Sequence, residues 1–183
     1  MMTTRMSVNG RDLAEHWLTR MFSQTSDRPR EEHMEPVAIW SPLVVGASAL
    51  AATIVIHTLV VTATVHFFRH ELRVGRVGAG FRTDVVIVAM AISLALVAHL
   101  LEIGVWATLF MVCGEFPEFA IAYYHSAVNY TTLGYGDVIM TRSWKLLGPL
   151  EAAVGMLLFG VSTAVIFAIM LRVIQARFPD LRA

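Results

Sequence analysis

Charge is scarce in this chain of 183 residues: charged side chains make up 15% of it, whereas 56% of the residues are hydrophobic. This composition excludes an ordinary soluble domain and favours a membrane protein. Fourteen acidic residues balance fourteen basic ones, so there is no basic field to attract nucleic acid, which we do not expect as a partner. Cys113 is the single cysteine, which excludes an intrachain disulfide and a cysteine-rich zinc site.

Three long stretches contain almost no charged residues. Residues 37–68 contain none, residues 85–114 contain only Glu102, and residues 146–171 contain only Glu151. Because about 20 apolar residues cross the hydrocarbon core of a bilayer, each stretch predicts one transmembrane helix. We therefore expect an all-α, multi-pass protein of the cell membrane, with the lipid bilayer as a partner. Thirteen of the fourteen basic residues are arginine, a bias that weakly favours a bacterial inner membrane.

The segment between the second and third stretches is too polar to span a membrane, yet part of it is too apolar for a free loop. It predicts a short helix, Pro117–Tyr130, inserted part-way into the membrane. Pro117 suits the first helical position, and Glu118 suits the first turn, where its charge meets the positive end of the helix dipole. Backbone that leaves a helix at this depth must be buried in protein or line water, so we expect a lined cavity.

Polar segments flank and connect the predicted helices. Residues 1–36 form a polar tail, in which 11–22 is either an amphipathic helix on the membrane or one local helix in a solvated segment. Residues 69–84 form a connector and residues 172–183 a short C-terminal tail. Both contain several arginines, which fits a cytoplasmic location by the positive-inside rule. Five arginines beside six acids in the N-terminal tail leave the side of that tail open.

A motif with two glycines follows the inserted helix, where residues 131–137 read Thr-Thr-Leu-Gly-Tyr-Gly-Asp. A dehydrated potassium ion needs oxygen ligands in place of water, and backbone carbonyls that point the same way supply them. Gly134 and Gly136 can adopt the positive φ angles that such a strand requires. One strand cannot surround an ion, so several chains must meet at an axis. The predicted K⁺ ligands are the carbonyls of Thr132, Leu133, Gly134 and Tyr135, together with the Thr132 hydroxyl.

This motif resembles the selectivity filter of the potassium channel superfamily, with Leu133 in place of the commoner valine or isoleucine. The resemblance covers a pore domain at residues 85–171, which contains an outer helix Val85–Cys113, the inserted pore helix, the filter at 132–136 and an inner helix Trp144–Leu171. It implies a homotetramer that conducts K⁺ passively, with K⁺ as the permeant ion. It implies no organic cofactor and no enzymatic activity.

The resemblance also assigns roles to individual residues. Tyr124 is expected to reach Asp137, and His125 to reach Tyr135, at the outer end of the filter. A histidine at this place is either sensitive to pH or, as we favour, neutral and hydrogen-bonded. The implied ion-binding residues are Thr132, Leu133, Gly134, Tyr135 and Gly136, and the implied filter supports are Thr131, Asp137, Tyr124, His125 and Glu151.

Gly155 lies where the inner helix of voltage-gated relatives has a hinge glycine, so the resemblance implies a gating hinge there. A glycine inside a helix costs roughly 1 kcal/mol relative to alanine, which makes bending cheap. Close packing of small residues against neighbouring helices is the alternative, and both roles can hold together.

His57, His99, Glu102 and Glu151 are ionisable residues inside apolar stretches, and such residues are expensive unless they serve a function. His99 and Glu102 share one helix face because they are three residues apart. We expect a hydrogen-bonded network behind the filter, with Glu151 supplying a carboxylate that Val128 does not. The alternative is a metal site of His99, Glu102 and Glu151 in a membrane enzyme or sensor.

Two further functions remain open. A weakly selective cation channel would differ only in the dynamics of the filter, and a regulatory subunit would pair with another channel. A transporter built of four fused pore units would need four filter motifs, and this sequence has one. A voltage sensor needs several arginines within one span, and the first span has none.

Overall fold

The computed structural model describes residues 15, 18–20 and 39–178. Residues 39–178 contain four α-helices, which we number by their order in the chain, and the described residues contain no strand. The all-α fold with three long helices and one short one is as predicted. Of the N-terminal tail, only residues 15 and 18–20 are described, and they are helical, so the amphipathic helix predicted at 11–22 otherwise lies outside the described residues. The helices are α1 (Trp40–Arg73), α2 (Phe81–Val112), α3 (Phe119–Tyr130) and α4 (Leu147–Arg177).

Three of these helices are long and apolar enough to cross a membrane. They contain 34, 32 and 31 residues, and at about 1.5 Å per residue each is longer than the roughly 30 Å of bilayer hydrocarbon. Many large apolar side chains on them are exposed, among them Trp40, Val44, Leu59, Leu157 and Phe167. Exposed apolar surface of this extent is typical of contact with lipid. The chain is therefore a membrane protein.

The long helices differ from their predicted bounds by several residues. α1 continues to Arg73 and α4 to Arg177, and α2 begins at Phe81, since a helix need not end where the hydrocarbon ends. The predicted connector thereby shortens to residues 74–80. α4 begins at Leu147 rather than at Trp144, because residues 142–146 form turns.

The predicted start of the pore helix is wrong by two residues. α3 begins at Phe119, and Glu118 is its N-cap residue with an extended backbone (φ −118°, ψ 132°) and no hydrogen bond from its side chain to the helix. Pro117 lies before the cap. The first turn therefore contains no acidic residue, and Glu118 does not occupy the position that we predicted for it.

α1 runs along α4 from one end of the bundle to the other. At one end Gly46 lies against Leu147 and Leu150, which are in the first turn of α4. At the opposite end Phe68 packs in a core with Ile169 and Val173 from the last part of α4. α1 thus crosses the whole bundle, and its N-terminal end lies beside the start of α4.

A second core surrounds α3 and holds this short helix between α2 and α4. Trp106, Phe110, Tyr130 and Leu147 are all fully buried there. Since the side chains come from all three helices, this core fixes where α3 ends and the motif begins.

Candidate functional site

The chain that leaves α3 turns its amides back toward the helix. The amides of Leu133 and Gly134 both donate hydrogen bonds to the carbonyl of Val128, with N···O distances of 2.9 and 3.2 Å. No peptide bond among the described residues is cis, and in a trans peptide the carbonyl of the preceding residue points opposite to the N–H. The carbonyls of Thr132 and Leu133 therefore point away from α3.

Left-handed backbone conformations alternate along the motif. The φ angles are 61° at Thr132, 60° at Gly134 and 72° at Gly136, whereas the residues between them have negative φ. Alternation of this kind lets successive carbonyls face one side. The two glycines were predicted to adopt positive φ, but Thr132 was not, and a positive φ is uncommon for a residue with a β-carbon.

Protein from the described part of the chain covers only one side of the motif. Residues 132–136 are all exposed, and the side chains of Leu133 and Tyr135 lie at 54% and 66% of full exposure. The face that carries the carbonyls of Thr132 and Leu133 is thus not packed against α3.

Tyr124 and Asp137 join α3 to the outer end of the motif, as predicted. The Tyr124 hydroxyl donates a hydrogen bond to Asp137 Oδ2 at 2.8 Å. This hydrogen bond lowers the pKa of the Asp137 carboxyl below its ordinary value, because it stabilises the ionised form. It also raises the pKa of the Tyr124 hydroxyl. The pair fixes the chain just after Gly136.

His125 does not contact Tyr135, so that prediction is wrong within one chain. Its Nδ1 lies 3.0 Å from the carbonyl of Val138, and its Nε2 lies 2.8 Å from the side-chain nitrogen of Asn129. A carbonyl can only accept and an amide nitrogen can only donate, so both contacts are satisfied when the ring is neutral and carries its hydrogen on Nδ1. The hydrogen-bonded neutral histidine agrees with these contacts.

Thr131 and Glu151 were both predicted to support the filter, and they contact different parts of α3. The Thr131 hydroxyl donates back to the carbonyl of Ala127 at 2.7 Å. Glu151 is fully buried on α4, and its Oε1 contacts the hydroxyl of Ser126. Ser126 is also buried and lies 2.9 Å from the carbonyl of Ile103 on α2. Glu151 thus lies behind the pore helix, one turn before the residues that begin the motif.

Three of the four residues predicted to form a hydrogen-bonded network, His57, His99 and Glu102, do contact one another, whereas Glu151 does not join them. His57 Nδ1 lies 2.9 Å from Glu102 Oε1, and His99 Nδ1 lies 3.2 Å from Glu102 Oε2, but Glu151 belongs to the separate contact with Ser126. Tyr130 and Ser162 are the further partners. We call the five buried residues the Tyr130 cluster: His57, His99, Glu102, Tyr130 and Ser162.

Sequence reasoning did not find Tyr130 and Ser162. Tyr130 ends α3 and contacts Glu102 through its hydroxyl, and Ser162 lies 3.1 Å from His99 Nε2 and 3.3 Å from His57 Nε2. A tyrosine and a serine are ordinary residues in an apolar stretch, so their types gave no signal. Only the packing of four helices brings them to the histidines.

Gly155 lies beside the last turn of α3, where the carbonyl of Tyr130 approaches α4. This position agrees with the close-packing interpretation of the glycine. The gating hinge at Gly155 stays a prediction.

A comparison with protein families gives a match. Residues 85–172 match the model of a protein family described as "Ion channel". The matched range contains most of α2, all of α3, the motif and α4 as far as residue 172, whereas α1 precedes it. Comparison with curated proteins found no match, and neither did comparison with solved structures.

Proposed function

Since the match at residues 85–172 makes this chain a member of the potassium channel superfamily, we propose that this range forms a pore domain and that four copies of the chain form a potassium-selective pore. The motif at 132–136 is its selectivity filter. K⁺ binds the carbonyl oxygens of Thr132, Leu133, Gly134 and Tyr135 and crosses the membrane passively, with no covalent chemistry.

The backbone of the filter carries this proposal. The amides of Leu133 and Gly134 are held by Val128, so the carbonyls on the other side are fixed before an ion arrives. Preformed carbonyl dipoles replace the hydration shell of K⁺. One strand supplies only one oxygen to each ring, and its residues are exposed in a single chain. A homotetramer provides the missing oxygens.

The short helix supports a cation site in a second way. The C-terminal end of a helix carries a partial negative charge, and α3 ends at Tyr130, directly before the filter. In a tetramer, four such ends point toward the central cavity on the pore axis, from which ions enter the filter. A cation at that place is stabilised within a medium of low dielectric.

Orientation follows from the charged ends of the helices. The connector at 74–80 and the last turn of α4 lie at the same end, because Gly78 lies against Ala176. Both regions contain arginine, which places them in the cytoplasm. α1 crosses the whole bundle, so its N-terminal end lies on the outer side together with the filter mouth. We propose the inner membrane of a bacterium as the location, since arginine greatly outnumbers lysine.

Flux measurements on the purified chain test the proposal. The chain is reconstituted alone into liposomes that hold a K⁺ gradient, and we expect K⁺ flux that external Ba²⁺ blocks. Reversal potentials in mixed K⁺ and Na⁺ then measure selectivity, and equal permeability of the two ions would instead indicate a weakly selective cation channel. Absence of flux from the lone chain would contradict the proposal and favour a regulatory subunit of another channel.

A further inference from the structure

The Tyr130 cluster joins all four helices through side chains that are almost completely hidden. His57 comes from α1, His99 and Glu102 from α2, Tyr130 from α3 and Ser162 from α4. Their exposed fractions do not exceed 6%, and Glu102 and Tyr130 are at 0%. α1 precedes the residues that match the ion channel family, so its histidine adds a partner from outside the pore domain.

Hydrogen-bond counting shows how many protons the Tyr130 cluster needs. His57 Nδ1 lies 2.9 Å from Glu102 Oε1. His99 Nδ1 lies between Glu102 Oε2 and the Tyr130 hydroxyl, at 3.2 and 3.0 Å, and one hydrogen can serve both contacts. The Tyr130 hydroxyl itself donates to Glu102. Three hydrogens, one on Nδ1 of each histidine and one on the Tyr130 hydroxyl, therefore make all the contacts around an ionised Glu102 carboxylate.

The other half needs one hydrogen more than neutral side chains supply. Ser162 lies within hydrogen-bond distance of Nε2 on both His57 and His99, but its hydroxyl has a single hydrogen. If both rings are neutral, their hydrogens are on Nδ1, and one of the two Nε2 atoms lacks a donor. An additional proton makes one ring an imidazolium, which donates to Ser162, and Ser162 donates to the other ring.

We propose that the Tyr130 cluster is a proton-binding site that couples α1 to the selectivity filter. With its additional proton, every contact is made, and the imidazolium balances the Glu102 carboxylate. Zero net charge is the favourable state for ionisable groups inside a membrane span. Loss of that proton leaves one net negative charge and a buried nitrogen without a donor, both of which are costly.

Tyr130 itself links this cluster to conduction, because it is the last residue of the pore helix and lies two residues before Thr132, whose carbonyl is the first in the filter. A small cavity of about 10 Å³ borders His57 and Ser162, which is the lower limit of the space that one water molecule needs. The other ionisable group near Tyr130 is Glu151 on α4. We therefore expect deprotonation of the Tyr130 cluster to loosen the end of α3 and to reduce K⁺ flux.

The experiment measures K⁺ flux from liposomes of the full chain between about pH 6 and about pH 9. The inference rests on the proposed function, since flux is its readout. Flux is expected to fall with rising pH, by about tenfold for each unit above the midpoint, the slope of a single proton. Flux that is the same throughout this range would overturn the inference.

Three variants separate the Tyr130 cluster from other titrating groups. Glu102→Gln can keep the contacts without charge: its amide donates to His57, His57 donates from Nε2 to Ser162, and Ser162 donates to His99. The pH dependence should vanish in this variant. Ser162→Ala removes the partner of both Nε2 atoms, so its midpoint should move to lower pH. His66→Gln is the matched control, since His66 is an exposed histidine on α1, the helix that also carries His57. This variant should show the same pH dependence as the wild type.

Two further measurements distinguish the possible failures. Glu151→Gln, whatever its basal flux, should keep the wild-type midpoint, and a large shift would assign the proton to Glu151 instead. If no pH gives K⁺ flux, the proposed function fails, and thermal unfolding of the purified protein then tests the site alone. Stability should fall with rising pH in the wild type but not in Glu102→Gln. One zinc or copper ion per chain in the purified protein would show a metal site and overturn the inference.

Discussion

A β-carbon on Gly155 would lie 2.2 Å from the carbonyl oxygen of Tyr130. Real β-carbons do not approach a backbone oxygen this closely, and neither partner is the end of a flexible side chain. The last turn of the pore helix therefore rests directly on the inner helix, and the absence of a side chain at residue 155 sets the distance between the two helices. Any motion of α4 at this point is transmitted to the end of α3.

Gly155→Ala should destabilise the protein, because the added methyl group forces the two backbones apart. Overpacking of this kind costs about 1–3 kcal/mol, and the melting temperature in detergent should fall accordingly. Gly160→Ala is the matched control, since no atom lies within 4 Å of its β-carbon position, and alanine there should stabilise the helix slightly. Equal melting temperatures for the two variants would show that Gly155 is not a packing contact, and would favour the hinge as its sole role.

Gly134→Ala should abolish selective K⁺ flux. The residue has φ +60° with no close neighbour around its β-carbon position, so alanine adds backbone strain of about 1–2 kcal/mol and no collision. Gly75→Ala adds the same strain at φ +69°, also in open space, but in the connector. Both variants should lose similar stability in thermal unfolding, and only Gly134→Ala should lose K⁺ over Na⁺ selectivity. Loss of selectivity in both would contradict a specific role for Gly134.

The three long apolar helices and the positive φ angles of the two motif glycines were predictable from the sequence because each depends on a local property. Near-absence of charge over 26 or more residues is visible without a structure, and the need for positive φ restricts Gly134 and Gly136 by their residue type. Thr132 shares that conformation, but a threonine gives no local signal for it. Its φ follows from the hydrogen bonds that the next two amides make to Val128.

Partners of the intramembrane polar residues were not predictable in the same way. His99 and Glu102 were paired correctly, since they are one turn apart on one helix. Glu151 was assigned to them, yet its partner is Ser126, because the depth at which residues from different helices meet depends on how the helices are offset. Sequence separation gives no measure of that offset.

Tyr124→Phe should change how the outer end of the filter responds to acid. The Tyr124 hydroxyl lowers the pKa of the Asp137 carboxyl. In the wild type this carboxylate therefore stays ionised, and its hydrogen bond stabilises the outer end of the filter, until the pH falls through that lowered pKa. Without the hydroxyl, the pKa rises toward the ordinary range. The midpoint of acid inhibition of K⁺ flux should therefore move to higher pH.

Tyr123→Phe provides the control for that variant. Its hydroxyl donates to the carbonyl of Leu100 at 3.1 Å, so the substitution also removes one tyrosine hydrogen bond from α3 but leaves Asp137 untouched. Acid inhibition should keep its wild-type midpoint. A shift of equal size in both variants would show that the effect comes from α3 as a whole and not from the pair of Tyr124 and Asp137.

Glu151 should tolerate replacement by glutamine but not by alanine. The Ser126 hydroxyl has a single hydrogen and two possible acceptors, the carbonyl of Ile103 and Glu151 Oε1. If that hydrogen goes to Ile103, the contact between Ser126 and Glu151 needs a hydrogen from Glu151, which is then the neutral acid. Its Oε2 has no hydrogen-bonding partner among the described residues, as suits an uncharged group better than a carboxylate.

A glutamine amide can donate the same hydrogen bond to Ser126, so Glu151→Gln should retain the melting temperature. Glu151→Ala leaves a cavity behind α3 and should cost about 2 kcal/mol or more in thermal unfolding. If glutamine destabilises the protein as much as alanine does, Glu151 is ionised and Ser126 donates to it instead.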